Sequence, residues 1–194
     1  MAEPTAYQRV GASALDVTEA GKKELWYLAF DGVDDFMLLG AGLTAISQTD
    51  NLLVAAARGG LSSIRQRLFQ FSSSARTRLA IFYGNTNADD LSFTSSTFGN
   101  ALISTAVPRE SDIVITGSSV GTTSTLRTNG VQRAQSATAS NNATDTVEVG
   151  RLTGTGDYLE GRVYGLLASS KTVDGGDISL SEQYLASKSG VTLP

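Results

Sequence analysis

The sequence predicts an all-β domain, a sandwich or barrel of short antiparallel strands, with one short helix near the C-terminal end. Three observations carry this. Short apolar stretches recur between turn signals, and helical periodicity is poor along almost the whole chain. Glycine occurs 20 times, and Ser with Thr makes up roughly a fifth of the residues, a bias toward strands and turns. Asn129-Gly130, set between Thr128 and Val131, is the strongest hairpin signal, because both residues accept the positive φ of a type I′ turn.

Taken in order, residues 1–24 carry Glu3, Pro4, Asp16, Glu19 and Lys22-Lys23 with few bulky apolar side chains. They read as an N-terminal arm or edge segment ahead of a single domain over 25–194. Strands are expected at Leu25–Phe30, Leu52–Ala57, Arg67–Phe71, Arg78–Tyr83, Asp112–Thr116, Ser124–Thr128, Thr146–Val149 and Gly161–Leu167. Arg78–Tyr83 does not alternate cleanly, as in a strand buried on both faces. The aromatics Trp26, Tyr27, Phe30, Phe69, Phe71, Phe82 and Tyr83 fall in these runs and are expected in the core. Thr138–Thr146 is a polar loop. Ile178–Lys188 is the one convincing helix, with Asp177 expected to cap its start and Ser189-Gly190 to end it.

Composition removes several chemistries. The chain has no His and no Cys, so it has no nucleophile–histidine relay, no zinc site of the usual ligand types and no redox thiol. A net charge of −4 argues against nucleic acid as a partner. No apolar run approaches the ~20 residues of a membrane helix, and the start lacks a basic-then-apolar leader, so no membrane partner is expected.

Four stretches in order resemble one family. Leu28-Ala-Phe-Asp-Gly-Val-Asp-Asp-Phe36 looks like the opening strand of concanavalin A-like lectin/glucanase domains, the laminin-G-like set common in phage and bacterial proteins. Leu126-Arg-Thr-Asn-Gly-Val131 resembles that family's hairpin. Val149-Gly-Arg151 followed by Leu159-Glu-Gly-Arg-Val-Tyr-Gly-Leu-Leu167 resembles its penultimate strand. Leu180-Ser-Glu-Gln-Tyr-Leu-Ala-Ser-Lys-Ser-Gly-Val191 resembles its closing helix. The resemblance spans roughly 25–194 and implies a jelly roll of two antiparallel sheets. It does not specify function, because this sandwich hosts lectins, glycosidases and inert modules.

Candidate sites divide by chemistry. The glucanase members carry a Glu-x-Asp-x-x-Glu strand pattern, which is missing here, so no catalytic residues are assigned. Asp31, Asp34 and Asp35 form the dense acidic group, and Gly32 between them points to a turn in which Asp31 and Asp34 bond the backbone. Asn85, Asn87, Asp89 and Asp90 set oxygen ligands in one loop, a candidate calcium site or an ordinary polar hairpin loop. No other cofactor is expected. Sugar sites pair an aromatic platform with polar side chains. Tyr158 beside Asp157 is the best loop aromatic, with Asp34 and Asp35 as polar partners, while Phe93 and Phe98 lie in a Ser/Thr-rich stretch.

Arginine outnumbers lysine 11 to 4. Arg58, Arg65, Arg67, Arg76 and Arg78 fall in a stretch without acidic residues between Asp50 and Asp89. They either pair with the acidic N-terminal part of the same subunit or form a basic face that docks on a neighbouring copy. Together these readings lead to a non-enzymatic virion protein of a tailed phage: a head decoration, fibre or tail-associated component. It would assemble in the host cytoplasm as a homo-oligomer with other virion proteins, through the arm and the Arg-rich face. The alternative is a carbohydrate-binding, lectin-like adhesion module for a surface polysaccharide, with calcium as the candidate ion.

Overall fold

The computed structural model describes residues 8–10, 25–39, 50–60, 65–72, 78–84, 90–94, 102–104, 107, 109–137, 146–151, 157–169 and 173–194. In chain order the elements are β1 (Gln8–Val10), β2 (Leu25–Asp31), β3 (Met37–Leu39), β4 (Asn51–Gly59), β5 (Gln66–Ser72), β6 (Arg78–Tyr83), β7 (Leu91–Thr94), β8 (Leu102–Ser104), β9 (Ile113–Val120), β10 (Thr123–Thr128), β11 (Val131–Ser136), β12 (Thr146–Val149), β13 (Glu160–Ser169) and α1 (Gly175–Ser189). They form two antiparallel sheets. The seven-stranded sheet runs β1-β2-β13-β4-β9-β10-β11 and the six-stranded sheet runs β3-β12-β5-β6-β7-β8. The domain is thus an antiparallel β-sandwich with one C-terminal helix.

Side-chain alternation explains the layering. Along β4, Leu53, Ala55 and Ala57 face the six-stranded sheet and pack with Phe69, Phe71, Leu79, Ile81 and Phe93. The intervening Leu52, Val54 and Ala56 face the other way and pack with Leu25, Tyr27, Leu185 and Ala186. The helix therefore covers the outside of the seven-stranded sheet. The expected two-face burial of β6 is observed, since Leu79 through Tyr83 are each at most 1 % exposed. One aromatic differs from expectation. Trp26 is 54 % exposed, because its neighbours Leu25 and Tyr27 take the helix-covered face of β2. Phe93, in a Ser/Thr-rich stretch, is fully buried on β7, its ring lying over Gly117, where a Cβ would clash with the ring.

The hairpin between β10 and β11 forms as its sequence predicts, with Asn129 at φ 48° and Gly130 at φ 78°. In the segment expected as an arm, Gln8–Val10 pairs antiparallel with Leu25–Tyr27 and makes the sheet edge; the remainder of 1–24 lies outside the described residues. The helix starts earlier than predicted. Asp174 is its N-cap and Asp177 stands at N3, the two closing a reciprocal capping box. Gly190, at φ 73°, terminates it.

Glu182 anchors the helix. It is 2 % exposed, and its Oε1 accepts bonds from Thr116 Oγ1 and Arg127 Nε, both at 2.8 Å. Its Oε2 accepts from Arg127 Nη2 at 3.2 Å. Arg127 is a quarter exposed and keeps its bond to the Gly130 carbonyl, so removing Glu182 costs the hydrogen bonds to a charged group rather than leaving a buried charge unpaired. Glu182→Ala is therefore expected to lower unfolding free energy by about 1.5–3 kcal/mol, measured by chemical denaturation. Glu182→Gln keeps one acceptor for Thr116 and should lose less.

Candidate functional site

The charged groups gather at one end of the sandwich, where β2 runs into β3, β4 ends, β5 begins and the segment 157–160 enters β13. At the β2–β3 turn, Asp31 Oδ1 accepts from the N–H groups of Val33 (2.8 Å) and Asp34 (3.3 Å), an Asx turn. Gly32 sits at φ 80°, and a Cβ there would meet Glu160 Cβ at 2.9 Å. Asp35 folds back, and its Oδ2 accepts from the Asp31 N–H at 3.1 Å. The expected turn chemistry is thus present with one change: Asp31 and Asp35 supply the carboxylates, while Asp34 enters through its N–H.

Asp31 and Asp34 are exposed and Asp35 is 5 % exposed. One carboxylate oxygen from each lies within 4.8 Å of the others, the sole grouping of this kind among the described residues. Such a set can hold a hard cation, since oxygen donors suit calcium. The bond from the Val33 N–H holds the Asp31 carboxyl below the usual carboxylate range. Burial pushes Asp35 the other way, helped by the charges of Asp31 and Asp34.

Beside this turn, on the outer face of the six-stranded sheet, a chain of polar contacts runs inward from the rim. The Arg151 guanidinium lies 3.3 Å from the centroid of Phe36, and its Nε donates to Glu148 Oε1 at 3.2 Å. Glu148 is 1 % exposed, and its Oε2 accepts from Gln70 Nε2 at 2.6 Å. Sequence reasoning missed this set. Its one available signal was the three-residue spacing of Glu148 and Arg151.

Of the five arginines expected either to pair within the subunit or to form a docking face, three have described side chains, and they differ in surroundings. Arg67 is fully buried, its guanidinium 4.0 Å from the centroid of Phe82 and its Nε 3.7 Å from Asp157 Oδ2. That arginine belongs to the interior and cannot meet a neighbouring copy. The preference for Arg over Lys is explained instead by its planar group, which stacks on a ring and pairs with a carboxylate at once. Half-buried Arg65 donates from Nε to the Gly84 carbonyl at 3.3 Å and lies 5.8 Å from the same ring. Arg58 is half-buried on β4, in the other sheet. Arg76 and the Arg78 side chain lie outside the described residues.

The remaining candidates separate. Asn85, Asn87 and Asp89 lie outside the described residues, as does Phe98. Asp90 is 2 % exposed, and its carbonyl accepts from the Gly84 N–H at 2.7 Å to close the β6–β7 connection. Tyr158 is half-buried, two residues before Glu160, the strand partner of Asp31. The structure therefore brings Tyr158 and the Asp31–Asp35 turn to the same end of the sandwich. Exposed Trp26 borders a recess of about 210 Å³ lined also by Leu28, Met37, Val149, Val163 and Leu166. That lining offers few of the hydrogen bonds a sugar needs.

These two stacked antiparallel sheets with one C-terminal helix have the architecture of an antiparallel β-sandwich. No family model and no curated protein matches the chain by sequence. Among solved structures, it is similar to the Trypanosoma rangeli sialidase in complex with the inhibitor DANA, at 11 % identity and TM-score 0.62, over 81 % of this chain. It spans only 27 % of that protein's length. It is also similar to domain 4 of AbnA, a GH43 extracellular arabinanase from Geobacillus stearothermophilus, in complex with arabinotriose. There the identity is 10 %, the TM-score 0.61, and 90 % of this chain and 80 % of that one are covered. The Ruminococcus gnavus IT-sialidase CBM40 bound to alpha2,3 sialyllactose is similar at 10 % identity and TM-score 0.55, over 72 % of this chain and 85 % of that one. At such identities the likeness is one of fold.

The opposed shifts of Asp31 and Asp35 set a pH dependence with a definite sign. Asp31, held low, contributes stability that is present above its unfolded value and lost as pH falls through the folded one. Asp35, held high, contributes in its protonated form, and that contribution is lost as pH rises through its folded value. Asp35→Asn keeps an acceptor for the Asp31 N–H and carries no charge. Its stability relative to wild type is expected to improve between about pH 3 and about pH 7, read from denaturation midpoints at both.

Proposed function

We propose that this chain is a non-enzymatic, carbohydrate-binding module of lectin type. The observation that carries the reading is coverage. Over most of both chains it matches two domains solved with an oligosaccharide bound, the arabinanase domain and the CBM40. The sialidase likeness, in contrast, takes in about a quarter of the larger enzyme. The virion reading, which drew on composition and on a docking face of arginines, finds no support in these likenesses. It also loses Arg67 to the interior.

The glycan site assigned by this proposal is the loop end holding the Asp31–Asp35 turn, Tyr158 and Arg151. Carboxylates accept sugar hydroxyls, a guanidinium donates to ring and acidic oxygens, and a tyrosine face takes the apolar side of a pyranose. Calcium, if required, would bridge the carboxylates of Asp31, Asp34 and Asp35 to vicinal hydroxyls. Of these, Asp34 is the residue to alter, because it is exposed and its carboxylate does not build the turn.

The test is retention of the purified protein on immobilised bacterial and algal polysaccharides, with calcium and with chelator. Binding to at least one polymer is expected. Asp34→Ala should weaken it by roughly tenfold, the loss of one hydrogen bond to a charged group, with an unchanged circular dichroism spectrum. A folded protein that binds no polysaccharide under either condition would remove the reading. Binding that Asp34→Ala leaves intact would move the site away from this turn.

A further inference from the structure

Asn129 and Gly130 make the only Asn-Gly pair in the chain. In such a pair the Gly130 nitrogen, flanked by no Cβ, attacks Asn129 Cγ. The Gly130 N–Cγ bond forms and the Cγ–NH₂ bond breaks, the Gly130 amide proton passes to the leaving nitrogen so that ammonia departs, and a five-membered succinimide remains. Water then opens that ring to aspartate or isoaspartate. Water is the sole co-reactant, and nothing is oxidised or reduced.

The fold opposes ring closure. The Asn129 N–H donates to the Val114 carbonyl at 2.8 Å, and the Val114 N–H donates back to Asn129 Oδ1 at 2.8 Å. The side chain is therefore tied to β9 while the backbone is held at φ 48°. Ring closure must carry Cγ to the Gly130 nitrogen and rotate the turn, which breaks the Val114–Oδ1 bond first. We propose that Asn129 is a self-modification site that the native hairpin holds shut, and that its conversion to isoaspartate releases the hairpin's hold on α1.

The second half follows from the contacts downstream. Isoaspartate routes the main chain through the former side-chain carbon and lengthens the turn by one methylene. The Gly130 carbonyl, which accepts from Arg127 Nη2, is then displaced. Arg127 in turn carries Glu182 and hence the helix. Ordinary aspartate does neither: it inserts no atom and still offers an Oδ acceptor to Val114.

The experiment compares the full chain aged at mildly alkaline pH in its native state and in guanidinium. Peptide mass spectrometry reads the mass gain at Asn129 and the isoaspartate fraction. Conversion is expected to be slower in the native state by roughly tenfold or more. After removal of denaturant, isoaspartate-bearing chains should show a lowered Tm and faster amide exchange in α1. Asn129→Asp serves as the control and should refold with a Tm near wild type. Equal conversion rates in the two states would overturn the gating. Isoaspartate-bearing protein with an unchanged Tm and unchanged α1 exchange would overturn the consequence.

Discussion

Burial of β4 on both faces is the constraint around which the rest of the molecule is arranged. Leu53 on one side and Val54 on the other are both fully buried, and each such side chain contributes about 1.5–3 kcal/mol only when its face is covered. One face needs a second sheet and the other needs a helix. The six-stranded sheet answers the first and α1 the second. Because α1 is polar on much of its surface, it is positioned not only by Leu185 and Ala186 but by Glu182, gripped between Thr116 and Arg127. A charge in that position favours the seating of the helix that gives it the Thr116 and Arg127 donors.

The same economy governs the arginines. A guanidinium has a flat apolar face and a polar edge, so it can lie on an aromatic ring and pair sideways with a carboxylate or carbonyl. Arg67 on Phe82 with Asp157, and Arg151 on Phe36 with Glu148, both do this. Arg162 lies 4.6 Å from the Tyr27 ring centroid on the other sheet. Much of the positive charge is thereby absorbed into the fold. What remains at the loop end, among the described residues, is a mixture of both signs beside half-buried Tyr158.

The turn after β2 shows how three neighbouring acids take different places in one short segment. Asp31 closes the turn, Gly32 accepts the positive φ and the approach of Glu160, and Asp35 is drawn inward against its own desolvation by the Asp31 N–H. Asp34 is exposed and, among the described residues, enters the turn through its N–H and not its carboxylate. Folding thus separates three neighbouring acids into two that build and one that is available.

Much of the fold was legible in the chain. The runs at Arg78–Tyr83 and Thr146–Val149 form strands with the predicted ends, because a short apolar run between turn formers leaves the backbone few alternatives. Asn129-Gly130 specified its hairpin, since few residue pairs accept two consecutive positive φ values. The acidic turn was equally local, its bonds spanning no more than four residues. The partners of the arginines were not legible. Arg67 meets Asp157, and Gln70 meets Glu148, across 90 and 78 positions, and such pairs exist only once sheet order and register are set. For the same reason Trp26 could not be told from a core aromatic, nor could the burial of Phe93 be read from its Ser/Thr-rich surroundings. Sequence by itself determined β2, β4, β5, β6, β9, β10, β12 and β13, the Asn129-Gly130 turn and the helix, because those depend on neighbours along the chain. β1, β3, β7 and β8, each of three or four residues, are strands only because a neighbouring strand pairs with them. Which face each strand buries, and therefore which charged groups remain to meet a ligand, was decided by the packing of the two sheets and the helix.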